Sequence, residues 1–87
     1  MSLRLHIRPE AEQDLEDAEV WYEKQTPVLG QEFLDEVLQS LRQITERPRL
    51  YPTVHRNTRR TLTHRFPFGV FYRVEEDVIV VVALADG

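Results

Sequence analysis

Arg59 to Leu84, RRTLTHRFPFGVFYRVEEDVIVVVAL, reads as three short strands joined by two tight connections. Between Arg59 and Phe66 apolar and polar residues alternate, with Leu62 and Phe66 on one face and Thr61, Thr63 and Arg65 on the other, the period of two of a half-buried strand. Val70 to Glu75 repeats the pattern, placing Val70, Tyr72 and Val74 on one side and Phe71 and Arg73 on the other. Val78 to Leu84 is apolar throughout. An unbroken run of this kind predicts a strand buried on both faces, central in its sheet, with the first two nearer an edge. Phe66-Pro67-Phe68-Gly69 and Glu75-Glu76-Asp77 supply the turns, since proline fixes φ, glycine permits positive φ and aspartate tolerates turn geometry. Links this short make the three strands antiparallel.

The preceding residues are patterned to cover one face of that sheet. Leu3, Leu5 and Ile7 alternate with Arg4, His6 and Arg8, predicting a first strand in the same sheet. Pro9 then suits the first position of a helix, and Glu10 and Glu12 fall in a first turn where the helix dipole favours acids. Ala11, Leu15, Ala18 and Tyr22 share one face of a helix from about Pro9 to Lys24, with Glu12, Glu16, Glu19 and Glu23 turned away. Thr26 and Pro27 predict a cap and first residue for a second helix, whose stripe is Phe33, Val37, Leu41 and Ile44, flanked by Leu34 and Leu38. It should end before Pro48. Arg49 to Thr58 has no periodicity and reads as a surface loop. The expectation is an α+β fold of order β-α-α-β-β-β: a single domain over residues 1–87, with an antiparallel helical hairpin packed on an antiparallel four-stranded sheet.

Composition narrows the class. Eighty-seven residues with 41% apolar content bury only about 60–65% of their unfolded surface, so the core is thin and a partner that covers leftover apolar surface adds stability. There is no cysteine, so neither disulfides nor thiolate metal sites can form, in keeping with a cytoplasmic protein. No basic region followed by a long apolar run opens the chain and no segment nears about 18 apolar residues, so neither a standard secretion signal nor a membrane span is expected. The net charge of −4 hides a segregation. Met1 to Glu46 holds 11 acids against 4 basic residues, whereas Arg47 to Arg73 holds 7 arginines and no acid. One face of a mildly acidic molecule should therefore be positive.

Several phrases resemble the ParE branch of the RelE/ParE toxin superfamily, the plasmid stabilisation proteins. They are Ala11 through Asp14-Leu15, Trp21-Tyr22-Glu23-Lys24-Gln25, Gly30-Gln31-Glu32-Phe33, Arg47-Pro48 with Tyr51-Pro52, Arg59-Arg60, and Arg65-Phe66-Pro67-Phe68 followed by Val70-Phe71-Tyr72. The resemblance spans nearly the whole chain. It implies the toxin half of a bacterial toxin–antitoxin pair, neutralised by an antitoxin whose C-terminal segment wraps around it. ParE-like members are associated with inhibition of DNA gyrase, and RelE-like members with mRNA cleavage in the ribosome. The RNA-cleaving members usually carry arginine three positions before the tyrosine of the Val70–Glu75 strand, where this chain has Gly69. They also tend to end in a basic tail with aromatic or histidine residues, whereas this chain stops at Ala85-Asp86-Gly87.

A metal-free nuclease needs a base for the 2′-hydroxyl, cations for the phosphate and an acid for the leaving oxygen. The candidates, if the chain is such an enzyme, are Arg60, His64, Arg65 and Tyr72. Strand parity separates them: His64 falls with Leu62 and Phe66, as a structural or half-buried histidine would, while Arg65 points to the other face. The arginine cluster instead suits a contact surface. Partner-binding residues are then Trp21, Tyr51, Arg59, Arg60, Arg65, Phe71 and Arg73. His6, His55 and His64 lack the pairing of a metal site, so neither metal nor cofactor is expected. The favoured function is that of a non-enzymatic ParE-like toxin docking on DNA gyrase. A cognate ParD-like antitoxin would silence it by laying an amphipathic or extended acidic segment along the helical hairpin and an open sheet edge, forming a toxin–antitoxin hetero-oligomer. The alternatives are a RelE-like ribosome-dependent mRNA endoribonuclease and a degenerate, inactive toxin. Direct nucleic-acid binding is not expected of this net-negative chain.

Overall fold

The computed structural model describes residues 3–86; the chain end at Gly87 lies outside the described residues. Strand β1 (Arg4–Ile7) leads into helix α1 (Pro9–Gln25) and helix α2 (Leu29–Glu46). Four strands follow: β2 (Thr53–His55), β3 (Thr58–Leu62), β4 (Phe68–Glu75) and β5 (Val78–Asp86). They form a five-stranded mixed sheet in the order β1-β5-β4-β3-β2. The two-layer α+β class and the helical hairpin are as expected, but the four-stranded antiparallel sheet is corrected twice.

First, β1 runs parallel to β5, with Leu5 opposite Ile79 and Ile7 opposite Val81. Hairpin chemistry sets direction only between consecutive strands; β1 and β5 lie at opposite ends of the chain, and the number of intervening reversals sets their sense. Second, part of the expected loop over Arg49–Thr58 is an edge strand. Thr53–His55 pairs antiparallel with β3 around a turn in which Arg56 takes a φ of 50°. Three exposed residues are too few to show a period. β4 is therefore the middle strand, and β5, between β1 and β4, is buried on one face only, with Ile79, Val81 and Leu84 inward.

Both helices lie against the face that carries Thr61, Val70, Tyr72, Ile79 and Val81. Ala11 and Ala18 of α1 and Phe33, Val37, Leu41 and Ile44 of α2 complete the core, as the helical spacing predicts. At its rim five rings meet: Tyr22 stands 4.8 Å from both Phe33 and Phe66, Phe33 stands 5.0 Å from Phe68, and Trp21 meets Tyr22 edge-on at 5.1 Å.

The join between the helices differs from the expected Thr26 cap. Thr26 ends α1, its N–H donating to the Tyr22 carbonyl, and α2 begins only at Leu29, after Val28 at a φ of 73°. The Glu23 carboxylate compensates, accepting from the N–H groups of Val28 and Gly30, both at 3.0 Å. A glutamate of one helix thus caps the next, where the helix dipole favours negative charge. Gly30 is required by packing, because a Cβ there would lie 2.7 Å from the Glu19 carbonyl oxygen.

Parity in β3 is the third correction. Pairing with β4 sets Thr61 opposite Val70 and Leu62 opposite Gly69, so Thr61 is buried and Leu62 is 49% exposed. The strand stops at Leu62, and residues 63–67 form a loop. Because the loop resets parity, Phe66 turns inward although Leu62 does not. Phe68 and Gly69, expected in the turn, belong to β4.

Candidate functional site

The face of the sheet opposite the helices is open, and register determines what it displays. Arg60 of β3, Phe71 of β4 and Ala83 of β5 form one cross-strand row. The next row places Arg73 beside Val80 and then His6 of β1, and the following one brings together Glu75, Val78 and Arg4. On the other side of Phe71, Leu62 lies opposite Gly69, which lies opposite Ala85. Gly69 shapes the patch. A Cβ there would come within 3.2 Å of the Phe71 ring and 3.4 Å of the Arg60 methylenes, so both side chains lie low over the bare backbone. The product is an aromatic and aliphatic floor ringed by Arg60, Arg73, His6 and Arg4. Arg73 pairs with Glu75 at 3.1 Å, leaving its Nε buried without a hydrogen-bond partner, whereas Arg60 has no carboxylate partner among the described residues. A half-desolvated aromatic flanked by arginines is the composition of a protein-interface hot spot.

The remaining residues read from the sequence lie elsewhere. Arg59 is on the helix side of β3, where its guanidinium donates to the carbonyls of Arg49 and Tyr51 and ties down the chain leaving α2. Tyr51 stands half-buried beside it. Arg65 sits in the loop between β3 and β4, pairs with Glu32 of α2 at 2.8 Å, and lies over the Phe66 ring at 5.4 Å. Its N–H donates to Glu36, so the loop is clamped to α2 through both backbone and side chain. Trp21 is 57% exposed on α1. The seven arginines therefore do not form one surface; Arg60 and Arg73 are brought together, Arg59 and Arg65 are engaged internally, and Arg56 marks a turn.

The four residues proposed for a nuclease do not converge. Arg60 is on the open face, whereas Tyr72 is fully buried on the other, its hydroxyl donating to the Pro48 carbonyl at 2.6 Å. Burial pushes its phenol up to about 12, with the Arg59 charge pulling the other way. His64, expected to be structural or half-buried from an unbroken strand, is exposed in the loop. It borders a shallow cleft of about 280 Å³ with Tyr51 and Arg60. Among the described residues no three His, Asp or Glu side chains group as metal ligands, and no helix is long and apolar enough to cross a membrane. The Glu23 cap and the Arg65 clamp were missed by sequence reasoning. Acid spacing on α1 marks Glu23 only as wet surface, and the partners of Arg65 lie about thirty residues away.

The chain is similar to known proteins in sequence and in shape. Residues 5–87 match the family model described as ParE toxin of type II toxin–antitoxin system, parDE. Among solved structures, the chain superposes on one from the chromosomal ParDE toxin–antitoxin system of P. aeruginosa with a TM-score of 0.87 and 16% identity, covering 98% of this chain and 96% of that one. It also superposes on a chain of the toxin–antitoxin complex RelBE2 from Mycobacterium tuberculosis with a TM-score of 0.66 and 15% identity, each covered over 100% of its length. At those identities the likeness to the two structures concerns the fold. No curated protein sequence matches the chain.

Proposed function

The chain belongs to the ParE toxin family of type II toxin–antitoxin systems, and on that premise we propose that it acts without catalysing a reaction, by docking its open sheet face on DNA gyrase in the bacterial cytoplasm. A cognate antitoxin holds it silent by laying a segment along the helical hairpin and a sheet edge. The observation that carries the docking mode is the patch of Arg60, Phe71 and Arg73 on a face that neither helix covers, with Tyr72 turned away from it. A surface of this kind supplies an apolar centre and bidentate donors for a protein partner. The antitoxin is supported by the family and by the two structural relatives, whose names describe toxin–antitoxin systems.

The test is induction of this chain without antitoxin in a bacterial host carrying a DNA-damage reporter, following growth and reporter together. Growth arrest with the reporter on is the expected result. Arrest with the reporter silent would move the target to the ribosome and make mRNA cleavage the better account. Unimpaired growth at full induction would mark an inactive member.

A further inference from the structure

A second, chemically different site lies on the helix side, away from the Arg60–Arg73 patch. Ala18, Trp21 and Tyr22 of α1, Pro67 of the loop, Phe68 of β4 and Asp86 of β5 enclose a cleft of about 550 Å³. Asp86 pairs with Phe68 across the sheet, which puts it beside that ring at the exposed edge of the cleft. Trp21 and Tyr22, both in the lining, meet edge to face, with centroids 5.1 Å apart and ring planes at 85°. Tyr22 titrates above its ordinary value, by burial first and by the charge of Asp86 second, which places the carboxylate within electrostatic reach of the phenol.

Aromatic rings beside a carboxylate are complementary to one kind of group. The face of an aromatic ring carries negative quadrupole potential, and a cation drawn to such a ring gains further from a carboxylate beside it. Neutral apolar groups would use the rings and waste the acid. Anions are disfavoured, since Asp86 is the charged residue of the lining. The same ring cluster already holds one cation at its far side, Arg65 over Phe66. We propose that this cleft is a cation cage that takes an arginine side chain of the antitoxin. This rests on the toxin reading above and reverses the expected sign of the contact: along the hairpin the antitoxin presents a basic residue, not an acidic one.

Trp21 is the only tryptophan of the chain, so its emission reports on the cage. The full chain is titrated with Nα-acetyl-arginine amide and, in parallel, with Nα-acetyl-citrulline amide, which has nearly the same shape but no charge. A saturable change with the arginine compound and a much weaker one with citrulline is the expected result. Asp86 is exposed at the end of β5, so Asp86→Asn should keep the fold; it should weaken arginine binding roughly two- to fivefold, the range of a single cation interaction at an open site. Equal responses to the two compounds, or an unchanged affinity in Asp86→Asn, overturn the cage. The partner is tested with the antitoxin encoded beside the gene, by calorimetry on the wild type, Asp86→Asn and Trp21→Ala. Loss of affinity in both variants supports an antitoxin arginine as occupant. Unchanged affinity overturns that occupant while the toxin reading stands, and a chain that binds the arginine compound but no antitoxin overturns both the occupant and the toxin reading.

Discussion

Tyr72 shows how one side chain can be mistaken for chemistry and serve architecture. Its hydroxyl donates to Pro48, where the chain leaves α2, and Arg59 holds the next carbonyls, so the two residues anchor one segment from beneath the sheet. Tyr72→Phe leaves the Pro48 carbonyl without its donor and should lower unfolding stability by about 1–2 kcal/mol in chemical denaturation. The raised phenol also predicts a pH dependence. The folded state holds the proton up to about pH 12, whereas the unfolded chain releases it near 10. Stability from Tyr72 is thus complete below pH 10 and lost as pH rises from 10 toward 12. Denaturation midpoints across that window should fall in the wild type and fall less in Tyr72→Phe. The inward parity of Tyr72 was legible from Val70 and Val74 on either side. Its hydrogen-bond partner was not, because nothing local links residue 72 to residue 48.

At the scale of elements, the turn between the helices concentrates strain and its relief. Val28 is β-branched, exposed and in the left-handed region, a conformation costing roughly 1–3 kcal/mol for such a residue. Glycine there loses little packing and pays about 0.5–1 kcal/mol in chain entropy. Val28→Gly should therefore raise stability by about 1 kcal/mol, measured by thermal or urea unfolding. Gly30→Ala should do the opposite. Alanine gains about 1 kcal/mol in helix propensity, but its Cβ meets a backbone oxygen that cannot swing aside, and overpacking of that kind costs about 1–3 kcal/mol. A net loss of about 1 kcal/mol is expected, with the helices pushed apart. Both helices could be read from period and proline placement, and so could the turn at Glu76. The second helix start could not, since its cap comes from Glu23 on the preceding helix rather than from Thr26. β2 was too short to carry a pattern, and Leu62 misled because its outward place is set by the register with β4, which puts Thr61 opposite the buried Val70.

For the whole molecule, charge segregation in the sequence survives folding but divides more finely than a count suggests. Asp86 is the acid that lines the aromatic cleft, the Arg60–Phe71–Arg73 patch occupies the opposite side of the sheet, and Arg65 bridges back to α2. Two partners of different chemistry therefore have separate ground to occupy. The proposed docking of the open face on gyrase is tested most directly by supercoiling of relaxed plasmid by purified gyrase, titrated with this chain and with a folded Arg60→Ser, Phe71→Ala, Arg73→Ser variant. Loss of a central aromatic and two arginines typically removes several kcal/mol of binding, so the wild type should inhibit near stoichiometry and the variant at least a hundredfold less well. No inhibition by the wild type at large excess, or equal inhibition by the two, would contradict docking through the open face.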